Sequence, residues 1–335
     1  MDVSQTRLVT AATSNHFNSL ICLLRSLAQH EPGLPVRVYA LDHVVSQQLS
    51  LLSANRNVEL AQTNWTLFPA FARLRQTSRD EATRHGQYAW KPFLIALSLE
   101  DMESVVWMDA GNQVTRPATI ASIISAAMRN SGVFSLQSPG RLSDWTHRGT
   151  LQHMYATNGG LLAKKPPSRF NMLANNCDGS VIALVRDGRE ARPLLDLWLA
   201  CAATKSCIAP PGSTRDNHRQ DQAALSVIVQ HMVALGRLSS KTCSFAHLEL
   251  GIRKWYDHLI TRKISPKVTN ASTECSRWPL SSAAAGAASR RMRSGQPSLD
   301  EFQSSVRLVG ANTREEKPLS RKTHVQGGHW FRLFE

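Results

Sequence analysis

Ser104-Val105-Val106-Trp107-Met108 is a short, nearly uninterrupted apolar run that stops at Asp109-Ala110-Gly111-Asn112. A run of this length reads as a strand buried on both faces in a parallel sheet, although periodicity alone leaves a helix open. Ahead of it, Lys91 to Glu103 carries Phe93, Leu94, Leu97 and Met102 close to helical spacing. Pro92 suits the first turn, where its missing N–H is not needed. A helix feeding a buried strand that ends in an acid, a small residue, a glycine and an amide commits the chain to an α/β sheet. In such sheets ligands bind outside the carboxyl ends of the strands.

The rest of the chain repeats the pattern. Arg7 to Thr13 reads as a first strand, with a helical stripe of Leu20, Ile21, Leu23, Leu24 and Leu27 after it, closed by Pro32-Gly33. Val36 to Asp42 alternates apolar residues and reads as a second strand, Gln47 to Leu52 as a helix, and Val58-Glu59-Leu60 as a third strand. This β-α-β-α-β opening predicts a parallel sheet with right-handed crossovers. Ile120 to Met128 is a further helix, Val133 to Gln137 a strand, and Ser138 to His153 an irregular loop over the site. Cys177 to Val185 reads as a strand started through Asp178-Gly179, and Ala191 to Cys201 as a helix. Another apolar helix runs over Ala223 to Val229. Residues 1–256 form the predicted folded domain. Residues 257–335, basic and in part low-complexity (SSAAAGAASRRMRS), are expected to be a disordered tail.

The 335 residues carry a net charge of +14, which suits anionic partners. No aromatics interleave the basic runs Arg290-Arg291-Met292-Arg293 and Arg321-Lys322, so no nucleic-acid partner is expected. No apolar run approaches the ~18–20 residues of a membrane span, and Met1-Asp2-Val3-Ser4-Gln5 lacks signal-peptide anatomy. The chain reads as soluble as given, or as a piece of a longer one. Its six cysteines form no Cys-x-x-Cys pair, which argues against a zinc site; disulfides are permitted, with Cys201 and Cys207 nearest in sequence. Two glycosylation sequons, Asn64-Trp65-Thr66 and Asn270-Ala271-Ser272, are compatible with a secretory compartment.

Four motifs occur in order: Tyr88-Ala89-Trp90-Lys91-Pro92, Trp107-Met108-Asp109-Ala110-Gly111, Gly179-Ser180-Val181-Ile182-Ala183-Leu184 with Trp198 after it, and His218-Arg219-Gln220-Asp221-Gln222. Together, over roughly residues 5–235, they resemble the GT-A type glycosyltransferases, and within them a eukaryotic group with Y-x-W-K-P, W-x-D-A-G and H-R-x-D-Q signatures. The resemblance implies a Rossmann-like, mixed but mainly parallel sheet with helices on both faces. It implies transfer of a sugar from a nucleotide-diphosphate donor to a hydroxyl of a glycan or glycoprotein acceptor. It also implies a divalent cation, Mn²⁺ or Mg²⁺, and residence in the Golgi or secretory lumen. The other reading is a degenerate GT-A domain that binds nucleotide or glycan without turnover.

Such chemistry needs a neutralised diphosphate, a carboxylate at the acceptor side and a slot for the nucleotide. Asp109 is the candidate metal ligand. The family has Asp-x-Asp here, and this chain has Gly111 in place of the second acid. Asn112 or a distant histidine, His247 or His324, would complete the shell, or Lys and Arg would replace the cation. Thr10, Ala11, Asp42, Lys91, Gly111 and Asn112 are candidates for nucleotide-sugar contacts, with Arg84 or Lys91 meeting the diphosphate. Asp221 is the candidate catalytic carboxylate: general base in an inverting enzyme, positioning group in a retaining one. Asp178, Gly179, His218, Arg219 and Gln222 are assigned to the acceptor or donor sugar, His218 and Arg219 as phosphate binders. Plain structural roles compete: turn acids for Asp109 and Asp42, an N-cap for Asp221, a turn for Asp178-Gly179, a solvated lysine for Lys91. A glycine-rich dinucleotide turn after the first strand, a P-loop and a Gly-x-Ser-x-Gly elbow are all absent from the sequence.

Overall fold

The computed structural model describes residues 5–43 and 57–254, apart from 76, 79, 157–159, 244, 246 and 247. The helix expected over Gln47 to Leu52, His247 and the tail from 257 with His324 and the Asn270 sequon lie outside the described residues. In chain order the main elements are β1 (Thr6–Ala12), α1 (Phe17–His30), β2 (Val36–Ala40), β3 (Val58–Gln62), α2 (Trp90–Leu99), β4 (Ser104–Met108) and β5 (Asn112–Val114). There follow α3 (Thr119–Arg129), β6 (Val133–Arg141), α4 (Arg148–Met154), β7 (Asn175–Val185), α5 (Ala191–Ala203), α6 (Gln220–Ala234) and β8 (Ile252–Lys254).

Six strands form one sheet in the order β3-β2-β1-β4-β7-β6. β3, β2, β1 and β4 are mutually parallel, and β7 runs antiparallel to both its neighbours. The sheet is therefore mixed and mainly parallel, as expected. On one face Leu8, Val38, Val106 and Met108 pack with Leu20, Leu23 and Leu27 of α1 and Ile120 and Ile123 of α3. On the other, Tyr39 of β2 reaches Ser98 of α2 with its hydroxyl 3.1 Å from Oγ. α6 is buried nearly all round, from Ala223 to Val229, because β7 lies on one side and α5 on another. Trp198 of α5 is fully buried and donates its indole N–H to the carbonyl of Asp221, 3.0 Å away. The outer ribbon β5-β8 is antiparallel.

Three local expectations change. α2 ends at Leu99 rather than near Glu103, because Arg186 donates to the carbonyls of Leu99 and Glu100 and closes the helix there. The stretch 138–153 is largely regular: β6 runs on to Arg141, a short helix covers Leu142–Trp145, and α4 follows. Pro139 is tolerated because β6 is the edge strand, where no neighbour needs its N–H. Asp178-Gly179 is not a turn before a strand but the middle of β7. Opposite it the register jumps, since Ser135 pairs with Ile182 and Leu136 with Asp178. Gly179, Ser180 and Val181 thus form a bulge on the β6 side, and such bulges re-aim the chain.

Two disulfides tie the described residues, Cys177–Cys243 across 66 residues and Cys201–Cys207 across 6. Loop-closure entropy makes the longer one the larger contributor, at about 4 kcal/mol against about 2. Urea unfolding of the Cys177→Ala/Cys243→Ala and Cys201→Ala/Cys207→Ala double variants is expected to rank them in that order.

Candidate active site

The direction of winding reverses between β1 and β4: β2 and β3 lie to one side of β1 and β4 to the other. A crevice opens at such a switch point, outside the strand ends. The turn Thr13–His16 follows β1 and Asp109 follows β4, so both stand at its rim.

Lys91 is at its centre. It lies in the first turn of α2 and is 4% exposed, so it is no solvated lysine. Its ammonium donates to the carbonyl of Gly179 at 2.8 Å and stands 3.1 Å from Asp109 Oδ1 and 3.0 Å from Asp221 Oδ2. Burial works against its charge, but the two carboxylates outweigh that and raise its pKa above the ordinary lysine range. Burial, with Asp109 adding to it and Lys91 opposing, raises the carboxyl of Asp221. Asp109 is half-exposed and also accepts from the indole of Trp107 at 2.7 Å. One cation thus holds two carboxylates from distant parts of the chain at a fixed spacing. Gly179 permits this: a Cβ there would stand 3.2 Å from Asp221 Oδ2 and 3.6 Å from Lys91 Nζ.

The backbone ahead of α2 is wound to deliver Lys91. Gly86, Gln87 and Tyr88 are all left-handed, with φ of 58°, 57° and 54°. A Cβ at Gly86 would fall 2.0 Å from the carbonyl oxygen of Ala72, so only glycine fits. Left-handed Gln87 and Tyr88 each cost on the order of 1 kcal/mol, and strain of this sort gathers at functional sites. The turn presents an aromatic group: His85 stacks on Tyr88 with centroids 5.4 Å apart, His16 meets His85 edge-on at 6.1 Å, and Arg215 Cζ lies 5.3 Å from the Tyr88 ring. Burial pushes the Tyr88 hydroxyl up to about 12.

The other expected site residues divide. Asp221 is not the N-cap of α6, which is Arg219, but lies in the first turn with its side chain inward. Gln222, beside it, keeps an amide nitrogen that is buried without a partner. Arg219 stacks on Trp145 with Cζ 4.0 Å from the ring. His218 does not face the crevice. It is fully buried, with Nε2 2.9 Å from the carbonyl of Ile208 and Nδ1 accepting from the N–H of His147. Both nitrogens serve the backbone, which removes it as a phosphate binder. Asp178 is 2% exposed and ion-paired with Lys254 of β8, so it fastens the outer ribbon to the sheet. Asn112 clamps the turn by donating to the carbonyls of Asp109 and Ser180. Its Oδ1 is buried without a partner. Thr10 and Ala11 lie within β1 and are buried, and the Oγ1 of Thr10 is unpartnered. Asp42 accepts from the N–H and hydroxyl of Ser14 at 2.7 and 3.0 Å, fixing the turn after β1. Arg84 is exposed and donates to the carbonyl of Ser78.

A hard divalent cation at a phosphate site takes an octahedral oxygen shell, with one or two protein carboxylates and the rest phosphate and water. Among the described residues no group of three His, Cys, Asp or Glu is arranged to hold a metal ion. Asp109 has one oxygen engaged by Lys91 and Trp107, and position 111 is glycine. The described residues thus offer such an ion a single, half-engaged carboxylate, a poor fit to Mn²⁺ or Mg²⁺.

His16, His85, Trp107, Lys254 and Arg215 were not singled out from sequence as site residues. His85 sits between Arg84 and a glycine just ahead of the Tyr88 motif, which was a usable signal. Nothing in the sequence marks Arg215.

No family model and no curated protein matches the chain. Solved structures do. An active-site mutant of LgtC is 12% identical, covering 81% of this chain and 95% of its own, with a TM-score of 0.44. Mouse xyloside xylosyltransferase 1 is 10% identical over 70% of this chain and 83% of its own, at 0.42. The bifunctional glycosyltransferase WbbM is 13% identical over 73% of this chain, at 0.41, and this chain spans 39% of its length. At these identities and scores the chemistry rests on this chain's own residues.

Two outcomes follow from the geometry. Lys91→Met leaves two carboxylates facing each other with no cation, and breaking a buried pair in this way costs about 3–5 kcal/mol. Urea unfolding of the variant checks it. Burial lowers the His218 imidazole to about 4. Between an unfolded value of about 6.5 and that folded value, the unfolded chain takes up a proton that the folded one refuses. Stability from His218 is therefore present above about pH 6.5 and lost as pH falls toward about 4, by about 3 kcal/mol in all. The urea midpoint of His218→Gln is expected to fall less over this range than that of the parent.

Proposed function

We propose that the chain is a glycosyltransferase that moves a sugar from a nucleotide-diphosphate donor to a hydroxyl of a glycan or glycoprotein. The observation that carries this is the pair of carboxylates, Asp109 and Asp221, held by Lys91 in the crevice at the switch point of the sheet. The four motifs that resemble GT-A enzymes fall around this one place: Tyr88–Pro92 starts α2, Trp107–Gly111 ends β4, Gly179 is the bulge, and His218–Gln222 starts α6.

In this reading Asp221 is the carboxylate at the reacting centre. Its raised pKa suits a group that takes a proton from an acceptor hydroxyl in an inverting reaction. In a retaining reaction it positions donor or acceptor. Lys91 sets its orientation, and the lack of a side chain at Gly179 lets β7 pass close beside it. The unpartnered amide nitrogens of Gln222 and Gln220 offer donors to sugar hydroxyls. Asp109, half-exposed, lines the donor side with Gly111 and Asn112. If Mn²⁺ or Mg²⁺ takes part, Asp109 is the described residue that would hold it. Residence in the secretory lumen is supported by the two disulfides, which persist in oxidising compartments. No described helix is long and apolar enough to cross a membrane.

Gly111 in place of a second acid favours a second reading, a domain that binds nucleotide or glycan without turnover. Hydrolysis and transfer assays with a panel of nucleotide sugars separate the two. The glycosyltransferase reading expects turnover with at least one donor; tight nucleotide binding without turnover supports the second. Asp221→Asn is expected to lower kcat by at least about 100-fold, in line with loss of a general base, with little change in nucleotide affinity. Unchanged turnover in that variant removes Asp221 from the chemistry.

A further inference from the structure

We infer that the donor diphosphate is gripped by side chains at the rim, the imidazoles of His16 and His85 and the guanidinium of Arg215, in place of a divalent metal ion. This rests on the glycosyltransferase reading and adds what holds the leaving group.

Place comes first. His16 closes the turn after β1, and His85 opens the left-handed turn that leads into α2. The two strands bounding the crevice are β1 and β4, and α2 feeds β4, so both imidazoles sit at its rim. A diphosphate laid across a switch point lies there. Their ring centroids are 6.1 Å apart, a gap that one phosphoryl group bridges. Arg215 comes in from the segment before α6 over Tyr88, whose ring also stacks with His85. Three groups that can be cationic thus converge from three separate parts of the chain.

Their bonding leaves them available. His16 uses Nδ1, 3.1 Å from both Thr13 Oγ1 and Asn15 Oδ1. The His85 ring makes no hydrogen bond to a described residue. Arg215 has one weak contact with a carboxylate, Glu81 at 3.8 Å, and one with the amide oxygen of Gln220 at 3.4 Å. Lys91, by contrast, is held by one hydrogen bond and two ion pairs. It fixes the carboxylates, and at 4% exposure its ammonium is sealed away from the rim. The charge that a metal ion would supply is therefore to be sought at the rim.

The charged groups facing His85 are His16, Glu81 and Arg84 at the two ends of the one-turn helix Glu81–Arg84, and Arg215. Without an anion, burial and then His16 hold its imidazole toward the neutral form. A diphosphate between the rings reverses that balance, so binding takes up protons. Affinity rises as pH falls through the histidine range.

Isothermal titration of UDP-glucose and GDP-mannose into the whole chain tests this. Both carry a diphosphate diester with no proton to lose near neutrality, so any pH effect belongs to the protein. Titrations are run in EDTA and in Mn²⁺, at about pH 5.5 and about pH 8. The expected result is binding in EDTA within about twofold of that in Mn²⁺, and about tenfold tighter at the lower pH, the effect of one unit of pKa shift. The His16→Gln/His85→Gln variant is expected to lose the pH effect. Arg215→Met is expected to weaken binding about tenfold at both pH values, as for a lost charge-assisted hydrogen bond. Far-UV circular dichroism confirms that each variant is folded, and the parent titrations decide the matter alone if one is not. Binding that requires Mn²⁺, or metal-free binding indifferent to pH, overturns the inference and leaves the glycosyltransferase reading standing. Failure of both donors to bind under every condition counts against that reading and takes the inference with it.

Discussion

A single ammonium group joins four distant parts of this protein. Lys91 Nζ contacts the start of α2 by covalent attachment, the end of β4 through Asp109, the bulge of β7 through the carbonyl of Gly179, and the start of α6 through Asp221. Such a buried cluster is poor value as a stabiliser. Taking one ammonium and two carboxylates out of water costs several kcal/mol per ion, and well-packed apolar side chains in their place often leave a protein as stable or more so. What the cluster does give is a fixed distance and orientation between two acids. In the glycosyltransferase reading, that spacing is what the reacting groups require.

The surrounding structure bends to meet it. Left-handed Gln87 and Tyr88 carry strain so that α2 can begin where it does. β7 gives up regular pairing with β6 to bring the Gly179 carbonyl to Lys91. Trp198 spans from α5 to hold the backbone of Asp221. His218 keeps the loop before α6 in place, as a neutral imidazole between two backbone groups. Each of these residues acts on the Lys91 cluster by positioning another group.

Much of the fold was legible in the chain. The runs Arg7–Thr13, Val36–Asp42 and Ser104–Met108 became β1, β2 and β4 within two residues at each end, because a strand buried on both faces must be apolar throughout and must end at turn residues. β5 and β8, three residues each, were not seen, since so short a ribbon has no periodicity to read. Gly, Trp and His in 138–153 suggested a loop, yet the pairing of Arg141 with Asn175 and the helices after it depend on distant partners. Among site residues, Asp109, Lys91 and Asp221 were picked out from sequence, and His218 was picked out for a role that its burial rules out.

By itself, then, the sequence determined the class of sheet, the existence of its first parallel strands and the residue types offered at their carboxyl ends, because burial and turn chemistry are local and leave a pattern. Which of those residues meet was decided only by the tertiary structure. Lys91 and Asp221 are 130 positions apart, and nothing local distinguishes a lysine that solvates a helix start from one sealed between two carboxylates. The same holds for Asp178, a turn residue by its neighbours and an ion-pair anchor by its place in β7. Position along a chain fixes what a side chain can do, and the low dielectric and close contacts of the folded interior select which of those things it does.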